Sequence, residues 1–215
     1  MKRVLLVIMI ICLPITSMIV STNVLFRLPD FYEYAFAKEE QALDAALPVK
    51  PDRMSEIISR FMQGRDDEFS LPVEDLGEES EFFSMNEQIV MAGVRGLLNR
   101  VTIMGALAAV LLLFACWRLW HEGQHAELRR NWRYSIILFG IMATALGVLR
   151  EWEASREYLA SILLAQRLRS DDTLLLYLTE SFAESAFWFC LGISTVLMLV
   201  FSYILFRITK PRRMF

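Results

Sequence analysis

Four long apolar runs alternate with polar segments along the chain: Val4 to Phe26, Val101 to Trp120, Tyr134 to Leu149 and Ser185 to Phe206. A helix needs roughly 20 residues to cross a hydrocarbon core of about 30 Å, so these runs predict four membrane spans. The third run is short. It is bracketed by Arg133 and Arg150, whose methylene stems can stay in apolar surroundings while the guanidinium groups reach each interface. No charged residue sits in the middle of any run. Ion pumps and proton-coupled transporters need an ionisable group at depth, so this absence lowers a transport reading.

The intervening segments carry helix and turn signals of their own. Pro29-Asp30 opens a helix through Tyr34, Phe36, Ala37 and Leu43, with Glu39, Glu40 and Asp44 on a wetter face and Pro48 as its end. A second helix, Asp52 to Met62, has Met54, Ile57, Ile58, Phe61 and Met62 at helical spacing and Gly64 as its stop. Two acidic bursts at 65–81, RDDEF and EDLGEESE, read as an exposed loop. Ser84 with Glu87 three residues on forms the pattern of a capping box, which starts a helix that runs through Ile89 and Leu97 into the second span. Between spans three and four, REWEASREYLASILLAQRLRS has the spacing of an amphipathic helix, and DDTLLLYLTESF places an Asp pair at a helix start.

The predicted fold is all-α: a polytopic membrane protein with four transmembrane helices and short amphipathic helices in two outer segments. The first transmembrane helix occupies 1–28, read as a retained anchor because its apolar run outlasts a signal core. An acidic outer segment leading into helix two follows at 29–97. The second transmembrane helix takes 98–120, a cytoplasmic loop 121–133 and the third transmembrane helix 134–149. The second outer segment covers 150–182, the fourth transmembrane helix 183–206 and a basic cytoplasmic tail 207–215. The polar region at 29–83 is small for an independent domain, so its apolar faces are assigned to the outer membrane surface or to the ends of the spans.

Composition and charge support this order. The 215 residues are 55% hydrophobic, well above a soluble domain whose surface is charged. Lys2, Arg3, Arg118, Arg129, Arg130, Arg133, Arg207, Lys210, Arg212 and Arg213 share one predicted side with only two acids, Glu122 and Glu127. The positive-inside rule then places both termini in the cytoplasm. Cys12, Cys116 and Cys190 all fall inside spans, which gives no disulfide framework, and neither a metal nor a cofactor is implied. Residues 121–125, HEGQH, match H-E-x-x-H formally, but a glycine interrupts the stretch and no third histidine exists to complete a zinc site.

In the order of its parts the chain resembles the small four-span bacterial proteins of the lipoprotein intramolecular transacylase (Lit) family. The resemblance rests on an inside-first span, an outer polar segment, FSMNEQIVMAGVRGLL before span two and DDTLLLYLTESF before span four. It implies a site at the outer leaflet, where the family moves an acyl chain within the diacylglyceryl-cysteine of lipoproteins. The family pattern has a histidine and then an Asp-Val pair in the helix before span two, and a second histidine in the later outer segment. Here the first histidine position holds Val90, the aspartate position holds Gly93, and Val94 is retained. The later outer segment has no histidine, and both histidines of the chain, His121 and His125, are predicted to be cytoplasmic.

An acyl shift to an amine needs a base that takes and returns a proton near neutral pH, which imidazole does and valine does not. The leading expectation is therefore a Lit-like protein that binds lipid or lipoprotein at the outer leaflet, or acts there as an accessory, without catalysis. The alternative is an acyltransferase in which Glu87, Arg95, Glu180 and Glu184 replace the histidines. A weaker alternative is a subunit or regulator of a membrane transport complex, with a membrane-protein partner. Nucleic acid is not among the expected partners.

Overall fold

The computed structural model describes residues 2–43, 49–75, 78–152 and 173–209, with the side chains at 39–43, 72–75 and 78–81 excepted. In chain order the elements are α1 (Lys2–Leu25), α2 (Pro29–Leu43), α3 (Pro51–Gln63), β1 (Pro72–Asp75), β2 (Glu78–Glu81), α4 (Met85–His121), α5 (His125–Glu151), α6 (Leu174–Tyr177) and α7 (Glu180–Ile208). The architecture is all-α apart from the β1–β2 ribbon. Helices α1, α4, α5 and α7 are each long and apolar enough to cross a membrane, and each contains one predicted span. Residues 153–170 of the amphipathic helix expected at 150–170, the Asp171-Asp172 start and the Pro48 stop lie outside the described residues.

The chain divides into two compact units, one of Met1–Thr22, Arg100–Glu151 and Cys190–Phe215, the other of Asn23–Asn99 and Trp152–Phe189. In the first unit α1 is the most enclosed span: 39% of its apolar window is buried, against 17% for α4 and 11% each for α5 and α7. Leu5, Met9 and Leu13 of α1 pack with Leu112, Ala115 and Leu119 of α4, Leu128 and Phe139 of α5 and Met198 of α7. The lipid-facing sides carry the exposed leucines, valines and isoleucines of α4, α5 and α7. Two polar groups at membrane depth find partners on neighbouring helices, as a medium without water favours. Pro14 lies within α1 and has no N–H, which removes the helical bond to the carbonyl of Ile10. The buried Ser135 hydroxyl of α5 donates to that carbonyl at 3.1 Å. Ser194 of α7 donates to Ser17 of α1 at 3.2 Å, so the polar half of α1 faces helices, as its serines and threonines predict.

One end of this unit gathers the basic residues. Lys2 pairs with Glu127 at 2.7 Å, and the Arg129 guanidinium donates to the Thr209 carbonyl near the end of α7. The turn between α4 and α5 is closed by Gly123, which sits at φ 70°, with Gly123 N–H on Trp120 O and Gln124 N–H on Leu119 O. This turn separates His121 from His125 into two helices, so the H-E-x-x-H match lacks the single helix its chemistry needs.

The second unit has a core of its own, where the apolar faces of 29–83 were expected on the outer membrane surface or the ends of the spans. Phe31, Tyr32, Ala35 and Phe36 of α2 and Met54, Ile58, Phe61 and Met62 of α3 are buried, and the two helices pack on each other. The core is large enough because the later outer segment adds Leu174, Tyr177 and Phe182, with Phe36 edge-on to Tyr177 at 5.1 Å. Gly64 ends α3 as predicted, at φ 78° in a left-handed cap. β1 and β2, within the stretch expected as loop, form the antiparallel ribbon, with Asp75 opposite Glu78 and Glu74 opposite Glu79. Like charges in register disfavour such a pair, so the acidic composition concealed it.

Candidate functional site

The site predicted from the sequence lies around the first turns of α4. Ser84 and Glu87 make the capping box: the Ser84 amide donates to Glu87 Oε2 at 2.7 Å, and the Glu87 amide donates to Ser84 Oγ at 3.3 Å. The other carboxylate oxygen, Oε1, accepts the Leu174 amide at 2.6 Å, 87 residues further along the chain. Glu87 is 1% exposed. Its carboxylate therefore fastens the start of α4 to α6, and each oxygen accepts a backbone N–H.

Arg95, two turns further along α4, points elsewhere. Its Nη1 donates to the Asp66 carbonyl at 2.9 Å, and its guanidinium lies over the Phe61 ring, 4.8 Å from the centroid. The guanidinium also passes so close to Gly64 that a Cβ there would stand 3.3 Å from Nη2. Arg95 thus holds the end of α3 against α4. Glu180 and Glu184 occupy the first two turns of α7, one turn apart, and both are exposed. Of the four predicted residues, Glu87 and Arg95 are engaged with backbone and ring partners inside the second unit, while Glu180 and Glu184 face outward.

Two groups with a part in this architecture escaped the sequence reading. Tyr177 is fully buried, and its hydroxyl donates to the Val49 carbonyl and accepts from the Val49 amide, both at 3.0 Å. This ties the connection between α2 and α3 to α6. A lone tyrosine inside the leucine run of DDTLLLYLTESF is the signal that was present. Tyr32 is also buried, and its hydroxyl donates to the Phe26 carbonyl at 2.9 Å. Loss of solvent pushes its phenol above the ordinary range, so it stays protonated and serves as a donor, not a base.

Val90, at the position where the resemblance places a histidine, is buried, as are Met91 beside it and Leu174 and Tyr177 of α6. Position 90 is thus held by an enclosed apolar side chain. A groove of about 590 Å³ does exist in the unit, but it lies along α3 and the residues after it, lined by Arg53, Glu56, Arg60, Arg65, Asp66 and Glu68 among others. Arg60 is paired there with Asp66 at 3.0 Å and Glu56 at 3.6 Å. No cluster of three or more His, Cys, Asp or Glu suited to a metal occurs among the described residues.

The chain is similar in fold to three solved structures of the membrane integral lipoprotein intramolecular transacylase Lit from Bacillus cereus. A histidine-to-alanine variant superimposes with a TM-score of 0.67 at 17% identity, covering 96% of this chain and 94% of that one. A second structure of the transacylase gives 0.65 at 16%, covering 96% and 97%. A histidine-to-arginine variant gives 0.63 at 15%, covering 98% and 95%. At these identities the likeness establishes the fold, that of a multi-pass membrane protein. No curated protein sequence matches the chain. The sequence model of the family described as "Lipoprotein intramolecular transacylase Lit" matches residues 7–182, most of the chain. On that match, the chain belongs to the lipoprotein intramolecular transacylase Lit family.

Proposed function

We propose that this protein binds lipid or lipoprotein at the outer leaflet, with both termini in the cytoplasm, and does not itself move the acyl chain. The observation that carries this reading is the state of Glu87. Without a histidine, a carboxylate is the substitute base the chain can offer near the first turns of α4, and Glu87 is the one built into them. Its oxygens accept backbone amides at 2.6 and 2.7 Å, and the residue is closed to solvent. A general base must come within hydrogen-bond reach of the proton it removes, which a residue buried under α6 does not do. The buried valine at position 90 supports the same conclusion.

A second reading rests on Glu180 and Glu184, which stay exposed one turn apart at the start of α7. In that reading the protein is an acyltransferase whose outer carboxylates replace imidazole. A carboxylate is in general a weaker base than imidazole, which is why this reading stands second.

Equilibrium binding tests the leading reading. The protein purified in mild detergent is expected to bind a synthetic diacylglyceryl-cysteinyl peptide saturably, and to bind the same peptide without acyl chains far more weakly. Equal, non-saturating uptake of both peptides would remove lipoprotein binding from the account.

A further inference from the structure

The groove along α3, about 590 Å³ in volume, is of the size that small molecules occupy. Ile57 and Leu71 give it a little apolar lining, and three arginines and four acids supply most of the rest. Arg60 neutralises two of those acids, reaching Asp66 at 3.0 Å and Glu56 at 3.6 Å, and so ties α3 to the stretch that follows it. Arg53, Arg65, Asp67 and Glu68 are exposed and have no ion-pair partner among the described residues. Arg53 stands apart, one end of the groove away, about 10 Å from Arg60 along the helix. Arg65, Asp67 and Glu68 share the other end, where the Arg65 amide donates to the Arg60 carbonyl at 3.0 Å.

This mixture of charges selects its ligand. A lone anion at Arg65 would stand beside two carboxylates, and a lone cation at the carboxylates would stand beside a guanidinium, so either is opposed. A ligand that carries an anion and a cation a few bonds apart satisfies both. A phosphate accepts from guanidinium in a bidentate fashion, and an ammonium group donates to carboxylates.

Two contacts within the second unit set the level of this end of the groove. Gln63 Nε2, at the end of α3, donates to the carbonyl of Arg27 at 2.6 Å, and Arg27 directly follows the first apolar run. The Asp66 carbonyl accepts from Arg95, which precedes the apolar run at Val101 by about 9 Å of helix. The headgroup layer extends about 5–7 Å beyond the hydrocarbon on each face, so this end of the groove stands at the headgroups.

We infer that the groove binds the phosphoethanolamine headgroup of a phospholipid, with its phosphate on Arg65 and its ammonium on Asp67 and Glu68. Soluble glycerophosphoethanolamine carries the same two charges; the level of the groove favours the lipid. The site is independent of the lipoprotein-binding reading, and it fastens the end of α3 to the bilayer surface.

Native mass spectrometry of the full chain in detergent tests it, with phosphatidylethanolamine, phosphatidylcholine and phosphatidylglycerol of identical acyl chains added in equal amounts. The phosphatidylethanolamine adduct is expected to exceed each of the others about tenfold, since choline has no N–H to donate and glycerol carries no cation. Arg65→Gln, and separately Asp67→Asn with Glu68→Gln, should each lower that adduct about tenfold while leaving the thermal midpoint unchanged, as exposed substitutions do. Arg53→Gln removes the same charge from the far end and should leave the adduct as it is. Equal adducts of the three lipids, a dominant phosphatidylglycerol adduct, or a phosphatidylethanolamine adduct indifferent to the Arg65 and Asp67/Glu68 variants would overturn the inference. Glycerophosphoethanolamine bound as tightly as the lipid would assign the groove to a soluble ligand and overturn the lipid assignment.

Discussion

Glu87→Ala is expected to be among the most damaging single substitutions in the second unit, lowering stability by about 2–4 kcal/mol. The amide of the buried Leu174 and that of the exposed Ser84 lose their acceptor together. The buried, unsatisfied Leu174 donor costs about 1–3 kcal/mol, and the lost capping bond at Ser84, whose amide can turn to water, costs about 1 kcal/mol more. In a chain of this size the thermal midpoint in detergent should fall by roughly 10 °C. Glu87→Gln keeps one good acceptor oxygen and turns the other position into a donor facing an amide, so it should fall between Ala and the parent. The two variants also distinguish a clasp from a base. A structural clasp predicts loss graded with the number of acceptors kept, whereas a general base predicts that Gln keeps the fold and removes all activity.

The second large effect is expected at Gly105. A Cβ at this position would stand 2.3 Å from Ile19 Cγ2 and 3.1 Å from Ile19 Cβ, across the contact between α1 and α4. Ile19 is β-branched and cannot turn away cheaply. Gly to Ala in a helix interior ordinarily gains about 1 kcal/mol. Here the clash outweighs that gain, because overpacking costs about 1–3 kcal/mol and the helices cannot separate without opening their shared core. Gly105→Leu should therefore cost about 3 kcal/mol and Gly105→Ala less. Gly192→Ala, in α7 where an added Cβ meets nothing within 4 Å, should be neutral or slightly stabilising. Thermal midpoints of the three variants in one detergent check the order, and equal behaviour at positions 105 and 192 would contradict the close α1–α4 contact.

Much of this architecture was legible in the chain because local rules act over short distances. Run lengths placed the four spans, Pro29 and Gly64 marked ends of α2 and α3, and the three-residue spacing of Ser84 and Glu87 predicted a cap that is present. The long-range partners were not legible. Nothing near Glu87 signals that its second oxygen meets Leu174, and nothing near Gly105 names Ile19, since both contacts depend on how distant helices come together. The burial of α2 and α3 was missed for a related reason: residues 29–83 alone are too few for a core, and the aromatic side chains that complete it come from residues 174–182. The ribbon of β1 and β2 was hidden by its acidic sequence, which argues against pairing even though the backbone pairs. Among the predicted site residues, position along the chain was read correctly for Glu87 and Arg95 as members of the first turns of α4. Their chemical state depends on Leu174, Asp66 and Phe61, which only the fold brings to them.

The most direct test of the account follows the substrate itself. A model diacyl lipoprotein would be expressed with this chain in cells lacking any other transacylase, and its N-terminal peptide recovered for tandem mass spectrometry. An intramolecular shift leaves the mass unchanged, so the fragments must show where each acyl chain is attached. The account predicts both chains on the glyceryl group and a free cysteine amine, with the protein present in the membrane. An acyl chain in amide linkage to that cysteine would contradict it and would turn attention to Glu180 and Glu184.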